Sequence, residues 1–70
     1  MREMEIQIVD VPDREDLVIE IWSGDNLLCE INKEKGQLEI EFFKGMIGKV
    51  NYSVFMNALE KGKKKLLEED

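Results

Sequence analysis

Ser53-Val54-Phe55-Met56-Asn57-Ala58-Leu59-Glu60-Lys61-Gly62-Lys63-Lys64-Lys65-Leu66-Leu67-Glu68 is the one strongly helical stretch of this chain, and the rest is organised around it. Phe55, Leu59, Gly62 and Leu66 recur at helical steps with Ala58 beside them, which makes one apolar stripe. The Ser53 hydroxyl can cap the N-terminus. Asn51 is a second candidate cap, with Val50 and Phe55 then placed as a hydrophobic staple. Glu60 and Lys64 form an i,i+4 pair in the favourable order, worth about 0.3 kcal/mol. Lys61, Lys63, Lys64 and Lys65 sit where the helix dipole favours positive charge. Glu68, Glu69 and Asp70 sit at the wrong end for it and are expected to fray. Gly62 costs roughly 1 kcal/mol relative to alanine in a helix interior, and its place on the apolar stripe predicts close approach to a sheet.

Everything before the helix reads as short strands. Met4, Ile6 and Ile8 alternate with Glu5, Gln7 and Val9. Leu17, Ile19 and Ile21 alternate with Val18, Glu20 and Trp22. Leu27, Cys29 and Ile31 alternate with Leu28, Glu30 and Asn32. Leu38, Ile40 and Phe42 alternate with Glu39, Glu41 and Phe43. The helix is expected to lie over the face carrying Ile6, Ile8, Leu17, Ile19, Ile21, Cys29, Ile31, Leu38, Ile40 and Phe42. The expected strands cover residues 4–9, 17–22, 27–32 and 37–43, and the helix 53–68. Pro12 stops the first strand, Ser23-Gly24-Asp25-Asn26 turns the second, and Gly36 suits a left-handed position in the turn that opens at Lys33. The stretch from Lys44 to Tyr52 links to the helix, and Met46 and Ile47 are expected to tuck beneath it. Short connections favour an antiparallel meander. The fold class is therefore α+β: a four-stranded antiparallel β-meander with one C-terminal helix packed on one face, in the order ββββα.

Seventy residues make one domain, and a chain this short buries only about 60% of its unfolded surface. Local sequence quality or oligomerisation must supply the remaining stability. Sixteen acidic and ten basic residues give a net charge of −6. That charge argues against nucleic acid and anionic membranes, which need positive potential, and suits a basic partner. The start Met1-Arg2-Glu3-Met4-Glu5 has no apolar h-region, so no signal peptide is expected. No apolar run reaches the ~20 residues of a membrane span. A lone cysteine, Cys29, suits a reducing cytoplasm.

Histidine is absent, which removes the Ser-His-Asp and Cys-His systems and most zinc sites. Cys29 falls on the core face and reads as a packing residue. The Asp10, Asp13, Glu15 and Asp16 cluster lacks EF-hand spacing and reads as a solvated loop. Lys61 to Lys65 read as a solvated helix flank. No catalytic residue, metal site or cofactor is expected, and the chain is read as non-enzymatic.

The informative constellation comes from register. A loop over 33–36 pairs Ile31 with Leu38 and Cys29 with Ile40, which sets Glu30 opposite Glu39. Pairing Ile6 with Ile19 sets Glu5 opposite Glu20. A two-residue Gly24-Asp25 turn is excluded, since it would pair Ile19 with Glu30. A five-residue loop pairs Ile21 with Cys29, Glu20 with Glu30 and Trp22 with Leu28, whereas a three-residue loop pairs Glu20 with Leu28. With the five-residue loop, Glu5, Glu20, Glu30 and Glu39 form a row across the face away from the helix. Glu41 lies on the same face, and Trp22, Leu28 and Phe43 make an apolar patch at one end. Glu30 and Glu39 would lie about 5 Å apart, the spacing of retaining glycosidases, yet a bare sheet face offers no pocket to desolvate either. Three readings stay open: a solvated acidic surface, an interaction surface for a partner carrying lysine or arginine, and a homodimer stacked on this face.

The run from Asp13 to Trp22, then Glu30-Ile31-Asn32-Lys33-Glu34 and Leu38-Glu39-Ile40-Glu41-Phe42, resembles a group of short bacterial proteins of uncharacterised function. The resemblance implies a bacterial, cytoplasmic domain, and some small acidic proteins of that kind are immunity partners that neutralise a toxin. It implies no particular site residue.

Overall fold

The four alternating stretches form the four strands of one sheet, and the helical stretch forms the single helix packed against it. These elements are β1 Glu5–Val9, β2 Val18–Ser23, β3 Asn26–Asn32, β4 Glu39–Phe42 and α1 Tyr52–Glu68. The computed structural model describes residues 4–10, 12, 17–33, 36–44, 46 and 48–68. Asp13, Glu15 and Asp16 of the acidic loop, Glu34 and Lys35, Ile47, and the terminal Glu69 and Asp70 lie outside them. The sheet is antiparallel throughout, in the order β1-β2-β3-β4. Among the described residues no helix is long and apolar enough to cross a membrane.

Two of the three expected registers are displaced by two residues. Ile8 pairs with Ile19 and Ile6 with Ile21, so Glu5 lies opposite Trp22 and Gln7 opposite Glu20. Ile40 pairs with Ile31 and Phe42 with Cys29, so Glu30 faces Glu41 and Asn32 faces Glu39. The cause is the period itself. A two-residue slip keeps every apolar side chain on the same face, so patterning alone cannot distinguish the two pairings. Gly36, at φ +78°, donates its N–H to the Lys33 carbonyl at 3.1 Å. Leu38 falls between that turn and β4 and stays exposed.

The excluded two-residue turn is the one that forms. Ser23 pairs with Asn26 around Gly24-Asp25, with Gly24 at φ +60°. The pairing then shifts between Ile21 and Trp22: Trp22 faces Leu27, while Ile21 faces Cys29. Leu28 is thus the extra residue of a β-bulge, and one extra residue is what returns Ile19 to Ile31 and Glu20 to Glu30. Trp22 therefore pairs with Leu27 rather than with Leu28, while the Ile21–Cys29 and Glu20–Glu30 pairs expected of a longer loop are kept.

At the helix N-terminus, Asn51 and not Ser53 makes the cap: its Oδ1 accepts the Val54 N–H at 3.0 Å. Asn51 also offers its carbonyl to the Phe55 N–H, the first helical bond. The helix packs first on β2, then on β1 and β3. Ile19, Ile21, Cys29, Ile31, Ala58 and Leu66 are buried in one cluster with Leu28, and Met46 packs against it. Gly62 is the point of closest approach, as its position on the stripe predicts. A Cβ there would meet Ile19 Cγ2 at 2.9 Å and Ile31 Cδ1 at 3.0 Å.

The helix does not cover the whole apolar face. No residue of α1 comes within 8 Å (Cα to Cα) of a β4 residue. Three strand spacings separate the outer strands by about 14 Å, and a helix is about 10 Å across. A helix seated on β2 leaves one outer strand bare, and that strand is β4. Ile40 and Phe42, expected beneath the helix with Leu38, are exposed instead.

Candidate functional site

Register sets the layout of the sheet face away from the helix. One row runs Gln7, Glu20, Glu30, Glu41. Beside it lie Val9, Val18, Asn32 and Glu39. On its other side lie Glu5 and Trp22, with Leu27 and Leu28 at the bulge. Phe43 joins that row, donating its N–H to the Leu28 carbonyl at 2.9 Å. The expected carboxylate row of Glu5, Glu20, Glu30 and Glu39 is thus redistributed: Gln7 takes the place of Glu5, and Glu41 that of Glu39. Glu30 is directly opposed to Glu41 instead of Glu39, and Glu30 is buried and accepts from Asn32, so the pair expected of Glu30 and Glu39 does not form.

The centre of this face is not open. Glu30 is 6% exposed and Leu28 3%, and Asn32 and Val18 are buried with them. Asn32 Nδ2 donates to Glu30 Oε2 at 3.1 Å, and the Trp22 indole N–H donates to Glu20 Oε1 at 3.0 Å. Two of the row's three carboxylates are therefore held in hydrogen bonds within the sheet, and no buried side-chain polar atom among the described residues lacks a partner. Of the residues expected to meet a partner, Glu5, Glu39 and Glu41 are exposed. Glu20, Trp22 and Phe43 are half-buried, and Leu28 and Glu30 are not accessible.

Cys29 is buried, and desolvation pushes its thiol up to about 11, which fits a packing cysteine and not a nucleophile. The described residues contain no group of acidic or cysteine side chains that would hold a metal ion.

The most exposed strand of the sheet is β4, although Glu5, Gln7 and Ile8 of the other edge strand are exposed as well. All residues of β4 are exposed, and it has a strand neighbour on one side only. Glu39 and Glu41 point to the acidic face. Ile40 and Phe42, 43% and 58% exposed, point to the helix side. Val54, Asn57, Ala58 and Lys61 line a small cleft with Met4 and Ile6 at the β1 side. At about 100° per residue, the opposite flank, toward β4, carries Tyr52, Met56, Lys63 and Leu67. Tyr52, Met56 and Leu67 are exposed apolar side chains. Alternation places Ile40 and Phe42 in the core and does not single out this flank. The available signal was dimensional: one helix is too narrow for four strands.

No protein-family model, no curated protein and no solved structure matches this chain.

Proposed function

We propose that the protein is a non-enzymatic interaction module whose contact surface is the β4 side of the sheet, with Ile40 and Phe42 as the apolar contact and Glu39 and Glu41 as its charged border. The observation that carries this is the helix seated over β1 to β3, which leaves Ile40 and Phe42 exposed on the helix side of the sheet. Contiguous exposed apolar surface rimmed by charge is the usual mark of a protein contact. Compared with the acidic row first considered, the surface moves outward, because Glu20, Leu28 and Glu30 are engaged or buried.

The test is recovery of tagged protein from its source cells, followed by the native mass of what comes with it. The wild type is expected in a complex that Phe42→Asp abolishes and that Glu5→Lys, on the far strand, leaves intact. Protein recovered alone as a monomer, or a complex that survives Phe42→Asp, overturns the reading. Phe42 is exposed, so circular dichroism of that variant should match the wild type.

A further inference from the structure

The chemistry of the partner follows from the ladder at β4, given the interaction reading above. In an antiparallel pair, successive residues direct their backbone groups alternately to one neighbour and to the other. The Phe43 N–H bonds inward to the Leu28 carbonyl. In the same register Glu41 faces Glu30 and Glu39 faces Asn32, so these residues also direct their backbone groups to β3. The N–H and C=O groups of Ile40 and Phe42 therefore point away from the sheet, along its free edge. An added strand would bond to them there. Its residues opposite Glu39 and Glu41 would fall at the non-hydrogen-bonded positions, where facing side chains come closest.

Those positions are selective. Glu20, Glu30 and Glu41 already lie in consecutive places on one row. The next place on that row, and the one beside Glu39, favour positive charge and disfavour negative. The intervening residues of an added strand point to the helix side, beside Ile40 and Phe42, and favour apolar side chains. We propose that β4 is the docking edge for an extended peptide segment that alternates lysine or arginine with apolar residues, added as a further strand. A second copy of this chain is a poor occupant of the edge. Self-pairing about Ile40 sets Glu39 against Glu41 of the other copy at two places, and self-pairing about Glu41 sets that residue against itself; self-pairing about Phe42 sets Glu41 against Phe43 and gives neither glutamate a positive partner.

The probe is a blocked peptide of about seven residues, the length of a strand, alternating lysine with valine and isoleucine. Binding is read by fluorescence anisotropy and by amide hydrogen exchange at Ile40 and Phe42. The expected result is saturable binding that slows exchange at both amides and weakens as salt screens the pairs. Reversal of both charges, Glu39→Lys with Glu41→Lys, weakens the lysine peptide about tenfold and makes the matching glutamate peptide the better ligand. An N-methylated lysine peptide, stripped of its edge donors, should not bind. The proposal is overturned if the lysine peptide fails to bind, if binding ignores the charge reversal, or if the two amides are already protected by self-association. If the cellular complex still depends on Phe42 while the lysine peptide fails, the interaction reading stands and the added strand falls.

Discussion

Gly62→Ala tests how closely the helix sits on the sheet. In an exposed helix the change would stabilise by about 1 kcal/mol, because glycine loses more backbone freedom on folding. At this position the new methyl would lie 2.9 Å from Ile19 Cγ2 and 3.0 Å from Ile31 Cδ1, against about 3.5–4.0 Å for comfortable carbon contact. Ile19 is fully buried on a central strand, and its Cγ2 is fixed to a branched Cβ with few rotamers. It cannot turn away, so the helix must lift by about half an ångström or the strand must bend. Overpacking of this kind costs about 1–3 kcal/mol. The net expectation is a loss of about 1 kcal/mol, or a Tm lower by about 4–8 °C for a chain of this size. Thermal and urea unfolding followed by far-UV circular dichroism would measure it. Ile31 Cδ1 is the more yielding contact, so the cost should shrink in an Ile31→Val background, where that carbon is gone, and a double-mutant cycle reads the difference. A Tm that rises with Gly62→Ala would refute the reasoning, because it would mean that the helix gains its propensity with no contact to the sheet.

Two further changes test other parts of the frame. Asn51→Ala removes the side-chain acceptor of the Val54 N–H and should cost about 1 kcal/mol in urea unfolding, whereas Ser53→Ala should cost much less, since Ser53 lies inside the helix. The Cys29 thiol is raised by burial from an ordinary 9.0 to about 11, so the unfolded chain ionises it first. Stability from this group is complete below pH 9 and is lost as pH rises toward 11, by about 2 kcal/mol. The same titration of Cys29→Ala should lack that component, and a thiol reagent should label the wild type only when it unfolds.

The order of elements was legible because each strand alternates and only one stretch has a helical period. Register was less so. The β1–β2 and β3–β4 pairings differ from the expected ones by two residues, and a two-residue slip leaves Ile6, Ile8, Ile40 and Phe42 on their own face. The β2–β3 turn shows a different kind of limit. In a regular ladder a two-residue turn pairs Ile19 with Glu30, and alternation therefore argues against it. The bulge at Leu28 removes that objection, and nothing in the alternation of Leu27, Leu28 and Cys29 announces it. In the structure Gly24 takes the positive φ that this tight turn requires.

The candidate site was hidden by an assumption about coverage. Alternation alone places every apolar residue of one face in the core, as though a single helix could cover every strand. That helix crosses β2 and reaches its neighbours on either side, so the last strand stays bare. Alternation on β4 is then satisfied locally but has no cover: Glu39 and Glu41 face one side and Ile40 and Phe42 the other, with solvent on both. For a central strand the pattern apolar-in, charged-out describes burial. For an edge strand beyond the reach of the helix, the same pattern describes what a partner must present: apolar side chains to one face, positive charge to the other, and backbone groups to the edge between them.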